Sequence, residues 1–371
     1  MKIGIDAKWY FEGPPSGKRV VRSLVDHLLK SDDRNEYFII LNKKHRGRTF
    51  PVKESKNHHL CYVWAGNNLL SNMFLLPFLT YKNDLDALLY QNFTALFGRG
   101  KRIAFVYDVL FLSNPEYYTI YERLYFAPLR FLTQKAHAVI TISEEEKKRL
   151  LHFKLSDDAG KIAVAHPCID PGFAQREEHP PTVLDEVRLK FGLPPRFLLF
   201  VGRLNARKNI GNLLRAIPLL NNKDIQLVIV GADDWKKSNH DQVVKELGIE
   251  SRILFTGGVG DKQLEIIYSL ASVFCFPSYA EGFGLPPLEA MASGVPVVVS
   301  NTTSLPEVCG EAGNYVSPDK PEEIAMAIDS LLSNDQLYAE KKRLGLLQVK
   351  KFTWERAAQT VLRCIETRTM K

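Results

Sequence analysis

Cysteine is scarce in this chain of 371 residues, and the few present do not pair. The five cysteines (Cys61, Cys168, Cys275, Cys309 and Cys364) are odd in number and widely spaced. They form no CxxC and no Cys/His cluster, so neither a disulfide framework nor a zinc site is expected. A reducing compartment follows, with the cytoplasm as the expected location. Long apolar runs are also missing: the longest, Met73 to Leu79, falls far short of the ~20 residues a membrane span requires. Met1-Lys2-Ile3-Gly4-Ile5-Asp6 leads straight into a strand pattern, so no signal peptide is expected. The chain also lacks internal repeats and low-complexity tracts.

With 45% hydrophobic and 25% charged residues the composition is that of a soluble globular protein. The length exceeds one ordinary core and predicts two domains. The formal net charge of +7 is uneven: residues 1–180 hold 26 Lys and Arg against 20 Asp and Glu, the remainder 23 against 22. A basic half suits an anionic partner, either nucleic acid or an acidic membrane surface. No RNA- or DNA-binding motif accompanies it, so nucleic acid is not an expected partner. Ordinary solvated lysines account for so mild an excess equally well.

Both halves alternate short apolar strands with amphipathic helical stretches, as parallel sheets covered on both faces do. Predicted strands are Lys2–Ala7, Tyr37–Leu41, Ala87–Gln91, Arg102–Tyr107, Ala138–Ile142 and Ile162–Ala165, then Phe197–Val201, Gln226–Val230, Ile253–Thr256, Val273–Phe276, Val295–Ser300 and Asn314–Val316. Ser143 with Glu146, and Ser304 with Glu307, read as capping boxes. The polar, proline-bearing stretch 175–181, within Pro171–Pro195, is the predicted linker. The expected fold class is α/β, two doubly wound Rossmann-like domains facing a central cleft, over residues 1–175 and 190–350. Ligands of such domains bind at the carboxyl ends of the strands.

The most informative segment is Glu281-Gly282-Phe283-Gly284-Leu285-Pro286-Pro287-Leu288-Glu289. It follows an apolar strand, its glycines allow close backbone approach, and its prolines suit a first helical turn. A helix N-terminus of this kind attracts anions. Carboxylates on either side of an anion site suit a ligand with hydroxyls on both sides of its phosphates, such as a nucleotide sugar.

This Glu-x7-Glu segment resembles that of retaining glycosyltransferases of the GT-B fold, especially the large family 4, the group 1 type. Four further segments agree in order and spacing: Phe200-Val201-Gly202-Arg203 with Lys208-Asn209, Phe255-Thr256-Gly257-Gly258-Val259, Gly13-Pro14-Pro15-Ser16-Gly17, and Phe352-Thr353-Trp354-Glu355. The resemblance spans nearly the whole chain and is strongest from Phe197 to Val316. It implies that Arg203 and Lys208 grip the donor diphosphate, the loop at Gly257 receives the nucleobase, and the helix 354–371 returns to the first, acceptor-side domain. It further implies that Glu281 contacts the donor sugar and supports charge at its anomeric carbon. Glu289 would accept hydrogen bonds from the ribose, while Gly202, Gly282 and the amides of Phe283, Gly284 and Leu285 approach phosphate or sugar oxygens. Gly17, with Gly13, would close over the diphosphate and acceptor, and Lys18 and Arg19 would lie near an acceptor phosphate. The bland readings are surface charges for Arg203 and Lys208, a helix-capping carboxylate for Glu281, and an exposed helix glutamate for Glu289.

The pattern departs at Tyr107, where the family has a histidine facing the donor sugar. A phenol keeps a hydrogen bond to a hydroxyl, but a pKa near 10 makes it a poor base. Alternatively the ring fills the strand end. Asp84-Leu85-Asp86 looks like a metal-holding DxD but precedes a strand instead of ending one, so no metal and no cofactor are expected. Two aromatic and basic stretches, Asn68–Thr80 and Tyr117–Lys135, fit either a membrane interface or helices packed on their own sheet.

The expected function is retaining transfer of a hexose-type sugar from a nucleoside-diphosphate donor to a hydroxyl of a growing cell-surface glycan or lipid-linked acceptor. Peripheral contact with an anionic membrane at its inner face is the companion expectation. The rivals are a nucleotide-sugar epimerase, a glycan phosphorylase, and a catalytically silent glycan-binding partner subunit.

Overall fold

A computed structural model describes residues 1–51, 56–231 and 240–367. Residues 368–371 of the expected terminal helix lie outside the described residues. Thirteen strands are formed among those described: β1 (Lys2–Asp6), β2 (Glu36–Asn42), β3 (His58–Val63), β4 (Ala87–Gln91), β5 (Lys101–Phe105), β6 (Ala138–Thr141), β7 (Ile162–Val164), β8 (Phe197–Val201), β9 (Gln226–Val230), β10 (Ile253–Gly257), β11 (Val273–Phe276), β12 (Val297–Ser300) and β13 (Gly313–Val316). They build a seven-stranded sheet in the order β3-β2-β1-β4-β5-β6-β7 and a six-stranded sheet in the order β10-β9-β8-β11-β12-β13. Every strand pair is parallel.

The chain divides into two compact units. One comprises Met1–Cys168 with the segment from Phe352 onward, and the other is Ile169–Lys351. The passage between them falls at Cys168–Ile169, ahead of the polar stretch expected to be a linker. That stretch is itself folded: Arg176–Glu178 form a 3-10 turn, and Pro181–Phe191 form a helix with Gly192 closing it in the left-handed conformation. Pro181 sits in the first turn, where a missing amide hydrogen costs nothing.

Central strands are buried on both faces because helices cover both, so they read as continuous apolar runs. Phe197-Leu198-Leu199-Phe200-Val201 and Ala87-Leu88-Leu89-Tyr90-Gln91 are buried throughout. At the centre of the second sheet, Phe276 stacks on Phe200 at 5.9 Å and on Phe274 at 5.7 Å. β3 is absent from the sequence expectation. It is an edge strand, mostly half-buried, that begins with two histidines and lacks alternation. His59 stacks on Phe38 of β2 at 4.7 Å, so an imidazole does there what an apolar side chain does elsewhere.

Neither expected capping box forms in full. Ser143 accepts the Glu146 amide at 3.0 Å, but the Glu146 carboxylate is buried, accepting the Val109 amide at 3.1 Å and pairing with Arg149. Ser304 turns away from its helix and donates to the carbonyls of Phe283 at 2.6 Å and Glu281 at 3.2 Å. Local pattern gave way to tertiary demand in both cases.

The helix Trp354–Thr367 packs against the helix Pro15–Ser31 and against β6 and β7, within the first unit. Lys101 donates from Nζ to the Ile365 carbonyl at 3.0 Å, and Cys168 Sγ donates to the Phe352 carbonyl at 2.9 Å. Val361 and Ile365 are fully buried. Ile365→Ala should therefore destabilise the first unit by about 2–5 kcal/mol, the usual cost of such a truncation in a core. Urea unfolding checks this, and a change below ~0.5 kcal/mol would mean that the helix is not part of that core.

Candidate active site

In a doubly wound sheet, loops diverge where strand order reverses, opening a crevice at the strands' carboxyl ends. In the second sheet the reversal lies between β8 and β11. The loops leaving these two strands carry most of the expected site. After β8, Gly202 turns the chain with φ +156° and donates its amide to the Val230 carbonyl at 3.0 Å. Arg203 follows, exposed. Asn205 then caps a 3-10 turn, Ala206–Lys208, accepting the Lys208 amide at 3.3 Å. The loop after β11 is bound to this turn, since the Tyr279 amide donates to the Arg207 carbonyl at 2.9 Å.

Glu281 and Lys208 come together. Lys208 Nζ lies 2.8 Å from Glu281 Oε1, with both side chains buried, and 4.5 Å above the centre of the Phe276 ring. Arg207, absent from the sequence expectation, holds the other carboxylate oxygen at 3.0 Å and donates to the Ala280 carbonyl. Burial alone would raise the Glu281 pKa. The charges of Arg207 and then Lys208, with the Lys208 hydrogen bond, outweigh it and bring the value from 4.5 to about 2. Burial draws the Lys208 pKa below its ordinary value, against the pull of Glu281. The carboxylate is thus ionised and clamped, while the exposed Arg203 has no ion-pair partner among the described residues.

Hydroxyls from the segment after β12 fasten the glycine loop. Thr303 accepts the Glu281 amide at 3.0 Å, Thr302 donates to the Tyr279 carbonyl at 3.1 Å, and Ser304 holds the carbonyls of Glu281 and Phe283. Gly282, Phe283, Gly284 and Leu285 are all buried. Gly284 has φ +119°, and a Cβ there would lie 2.8 Å from Leu305 Cδ2, so only glycine fits. It precedes the helix Leu285–Ala292, whose first turn carries Pro286 and Pro287. Glu289, one turn in, is not an exposed helix glutamate. It is buried, and its Oε2 accepts from the equally buried Tyr268 hydroxyl at 2.8 Å. Gly257 ends β10 with φ +69° and open space where a Cβ would be.

Tyr107 and Gly17 belong to the first unit. There the reversal lies between β1 and β4. Lys8, after β1, is buried with Nζ 3.1 Å from Asp6 Oδ2 and donates to Asn72 Oδ1. Gln91, ending β4, donates to the Asp6 carbonyl at 3.1 Å and accepts from the Tyr107 hydroxyl at 2.8 Å. Burial, with Asp6 nearby, pushes the Tyr107 pKa well up, which keeps the phenol a donor. Its ring lies 5.6 Å from Trp9 and 5.1 Å from Phe105. The ring packs at the strand end, as the second of the two expectations has it, and the hydroxyl is engaged with Gln91. Asp84 pairs with Arg99 at 2.6 Å, and Asp86 accepts the Lys2 amide at 2.8 Å, so the Asp84-Leu85-Asp86 carboxylates serve the turn before β4.

Two parallel sheets, each with a polar group at its reversal point, define a class: the GT-B arrangement of Rossmann-like α/β units. Residues 185–345 match the family described as Glycosyl transferases group 1. The likeness to that family is carried by this segment, the greater part of the second unit. Over 162 residues it is 40% identical to O-antigen chain mannosyltransferase B of Escherichia coli, a stretch covering 43% of this chain and 42% of that protein. The chain thus spans less than half the length of that relative. Among solved structures it is similar to sucrose-phosphate synthase from Thermosynechococcus elongatus (TM-score 0.74, 20% identity, 98% of each chain covered). It is also similar to HepE of Anabaena in complex with UDP-glucose (TM-score 0.73, 18% identity, 99% of this chain and 100% of the other covered). At such identities the likeness is one of fold.

The clamp sets a pH dependence. The folded Glu281 pKa lies below its unfolded value, so the stability it contributes is complete above about pH 4.5 and is lost as pH falls toward 2. Glu281→Gln should cost roughly 3–5 kcal/mol at pH 7, the scale of breaking a buried pair. The gap from the parent should narrow steadily in acid. Urea unfolding at stepped pH tests this, and a gap independent of pH would contradict the ionised clamp.

Proposed function

We propose that the chain is a retaining glycosyltransferase that moves a hexose from a nucleoside-diphosphate sugar to an acceptor hydroxyl without a metal or cofactor. The observation that carries this reading is the buried Lys208–Glu281–Arg207 group, beside exposed Arg203, at the reversal point of the second sheet. Arg203 and Lys208 would take the diphosphate, one as a planar fork and one as a point charge. Lys208 exchanges part of its contact with Glu281 for phosphate oxygen, while Arg207 keeps Glu281 oriented toward the donor sugar. Glu289, steadied by Tyr268, offers its remaining lone pairs to the ribose. The bond from the anomeric carbon to the leaving phosphate breaks as the acceptor oxygen bonds to that carbon on the same face. The acceptor's proton passes to the leaving phosphate, so no separate base is needed. Gly202, Gly257 and the 282–285 loop line the donor, and Gly17 with Tyr107 serve the acceptor-side unit.

The similarity to an O-antigen chain mannosyltransferase supports mannose as the sugar and a growing cell-surface glycan or lipid-linked chain as the acceptor. Five free thiols support a reducing cytoplasmic setting. Exposed Phe74, Phe78, Tyr121 and Leu124 on the first unit, with basic Lys82 and Arg123 nearby in sequence, support peripheral contact with an anionic membrane face.

The defining experiment incubates the protein with UDP-, GDP- and ADP-sugars plus excess EDTA, and scores nucleotide release and the product's anomeric configuration by NMR. Activity that survives EDTA with retained configuration is expected, whereas strict dependence on added manganese or inversion would sink the reading. Lys208→Ala should lower turnover by about 100-fold, as loss of one preorganised charge donor does. Glu289→Ala should instead weaken nucleotide binding by about 1–3 kcal/mol. Glu281→Ala should spare nucleotide binding and cut turnover. Loss of nucleotide affinity in Glu281→Ala together with its retention in Glu289→Ala would reverse those two roles.

A further inference from the structure

One residue beyond β5 the chain is still tied to β6, with the Val106 amide donating to the Ile140 carbonyl at 2.8 Å. The amides that follow go to side chains instead. Tyr107 donates to Asn92 Oδ1 at 3.3 Å, Val109 to Glu146 Oε2 at 3.1 Å, and Leu110 to Asp108 Oδ1 at 3.3 Å. Asp108 belongs to the turn and moves with it. Asn92 and Glu146 stand outside it, 15 and 37 residues away in sequence from the amides they hold. We propose that Glu146, together with Asn92, is a positioning residue: the two side chains set the turn that carries Tyr107 and, on the transferase reading above, thereby set the rate of transfer.

The fold keeps both supports against a local disadvantage. Glu146 lies in the first turn of the helix Glu144–His152 and is fully buried, while Leu150, one turn further on, joins the same apolar core as Val109. Burial pushes its pKa up to about 8 against the pull of Arg149, and Asp108 adds to the rise. Arg149 is buried too, and also lies 4.0 Å from Glu145. A leucine in place of Glu146 would fill the space without that electrostatic penalty, and buried charged pairs add little stability over apolar side chains of like volume. What a leucine cannot do is accept the Val109 amide, and a buried amide left without an acceptor is itself destabilising. The carboxyl is therefore explained by the turn it holds. Asn92 has φ +62°, a left-handed conformation that non-glycine residues seldom adopt. Glycine would suit that backbone better, but it has no Oδ1 to receive Tyr107.

Between these supports the chain presents Tyr107 and Asp108, both half-buried. Thr141 Oγ1 donates to the Val106 carbonyl at 2.9 Å, so the entry to the turn is fixed by β6 and its exit by Glu146. The Tyr107 hydroxyl, bound to Gln91 at 2.8 Å, is left with one place to be. A displacement of about 1 Å near reacting atoms can lower a rate by roughly 100-fold, even when its source is remote. Neither Asn92 nor Glu146 has to meet the substrate to have such an effect.

The test has two arms, both on the full chain. Hydrogen exchange read by mass spectrometry on peptides spanning residues 106–113 follows the turn itself, whatever the reaction. Exchange there should rise in Asn92→Gly and in Glu146→Leu and stay unchanged in peptides from β8 to β13. Steady-state kinetics with the sugar nucleotide that the parent consumes follows the consequence. Turnover should fall by about 10- to 100-fold in both variants, with donor KM and affinity for UDP or GDP at the parent values. Glu146→Gln, neutral and with an amide oxygen that can still accept from Val109, should recover most of the loss. Asn92→Gly suits its backbone and should keep the parent melting temperature, so it decides the matter even where Glu146→Leu does not fold. Unchanged exchange in Asn92→Gly, or raised exchange with unchanged turnover, would overturn the proposal. So would a loss of nucleotide affinity matching the loss of turnover, the mark of a generally weakened fold, or Glu146→Gln as impaired as Glu146→Leu. Raised exchange in a chain whose parent releases no nucleotide from any sugar donor would support the two side chains as the turn's holders and defeat the transferase reading.

Discussion

The second unit depends on keeping one carboxylate charged out of water. Removing an ion from water costs several kcal/mol after relaxation, and a single partner seldom offsets that. Glu281 has two cations, and each uses a different oxygen. The sheet topology makes this possible, because the β8 and β11 loops meet only where the strand order reverses. Arg207 also fastens the Ala280 carbonyl, so the same guanidinium sets both the position of the loop backbone and the direction of the carboxylate. Mechanically, the three charges act as one rivet between two loops.

The two polar groups share a design while differing in chemistry. In the first unit a buried lysine is matched to Asp6 and surrounded by neutral amides and a phenol. In the second a buried lysine faces a carboxylate already claimed by an arginine. Neutral surroundings suit a ligand rich in hydroxyls, and a surplus of cations suits phosphate.

Much of this was legible from sequence because parallel strands buried on both faces announce themselves as apolar runs, as Phe197–Val201 and Val273–Phe276 do. Edge strand β3 hides because only its partner Phe38, remote in sequence, explains why His59 packs there. Glu281 and Lys208 are each visible through the resemblance, in separate roles, but their ion pair is not, and Arg207 is not visible at all, since a basic residue beside a lysine reads as one more surface charge. The sign that could have raised it is its place in a capped turn of only three residues, Ala206–Lys208, which leaves adjacent side chains little room to diverge. Tyr268 was missed for a similar reason: its hydroxyl's target, Glu289, lies 21 residues away on another element. The serine and threonine series from Ser300 to Ser304 looks like a polar loop until the carbonyls it clasps are known.

The terminal segment gives the chain an uneven schedule. Every strand of the second unit is drawn from one continuous stretch, Ile169–Lys351, so that unit has all its parts as soon as residue 351 emerges during synthesis. The first unit has its whole sheet much earlier but lacks the helix that carries the buried Val361 and Ile365 until the last of the described residues appear. Domains fold as units during synthesis, so the half made first is the half completed last. For that interval an apolar sheet face waits uncovered, and the Cys168 thiol waits for the Phe352 carbonyl on which it finally closes.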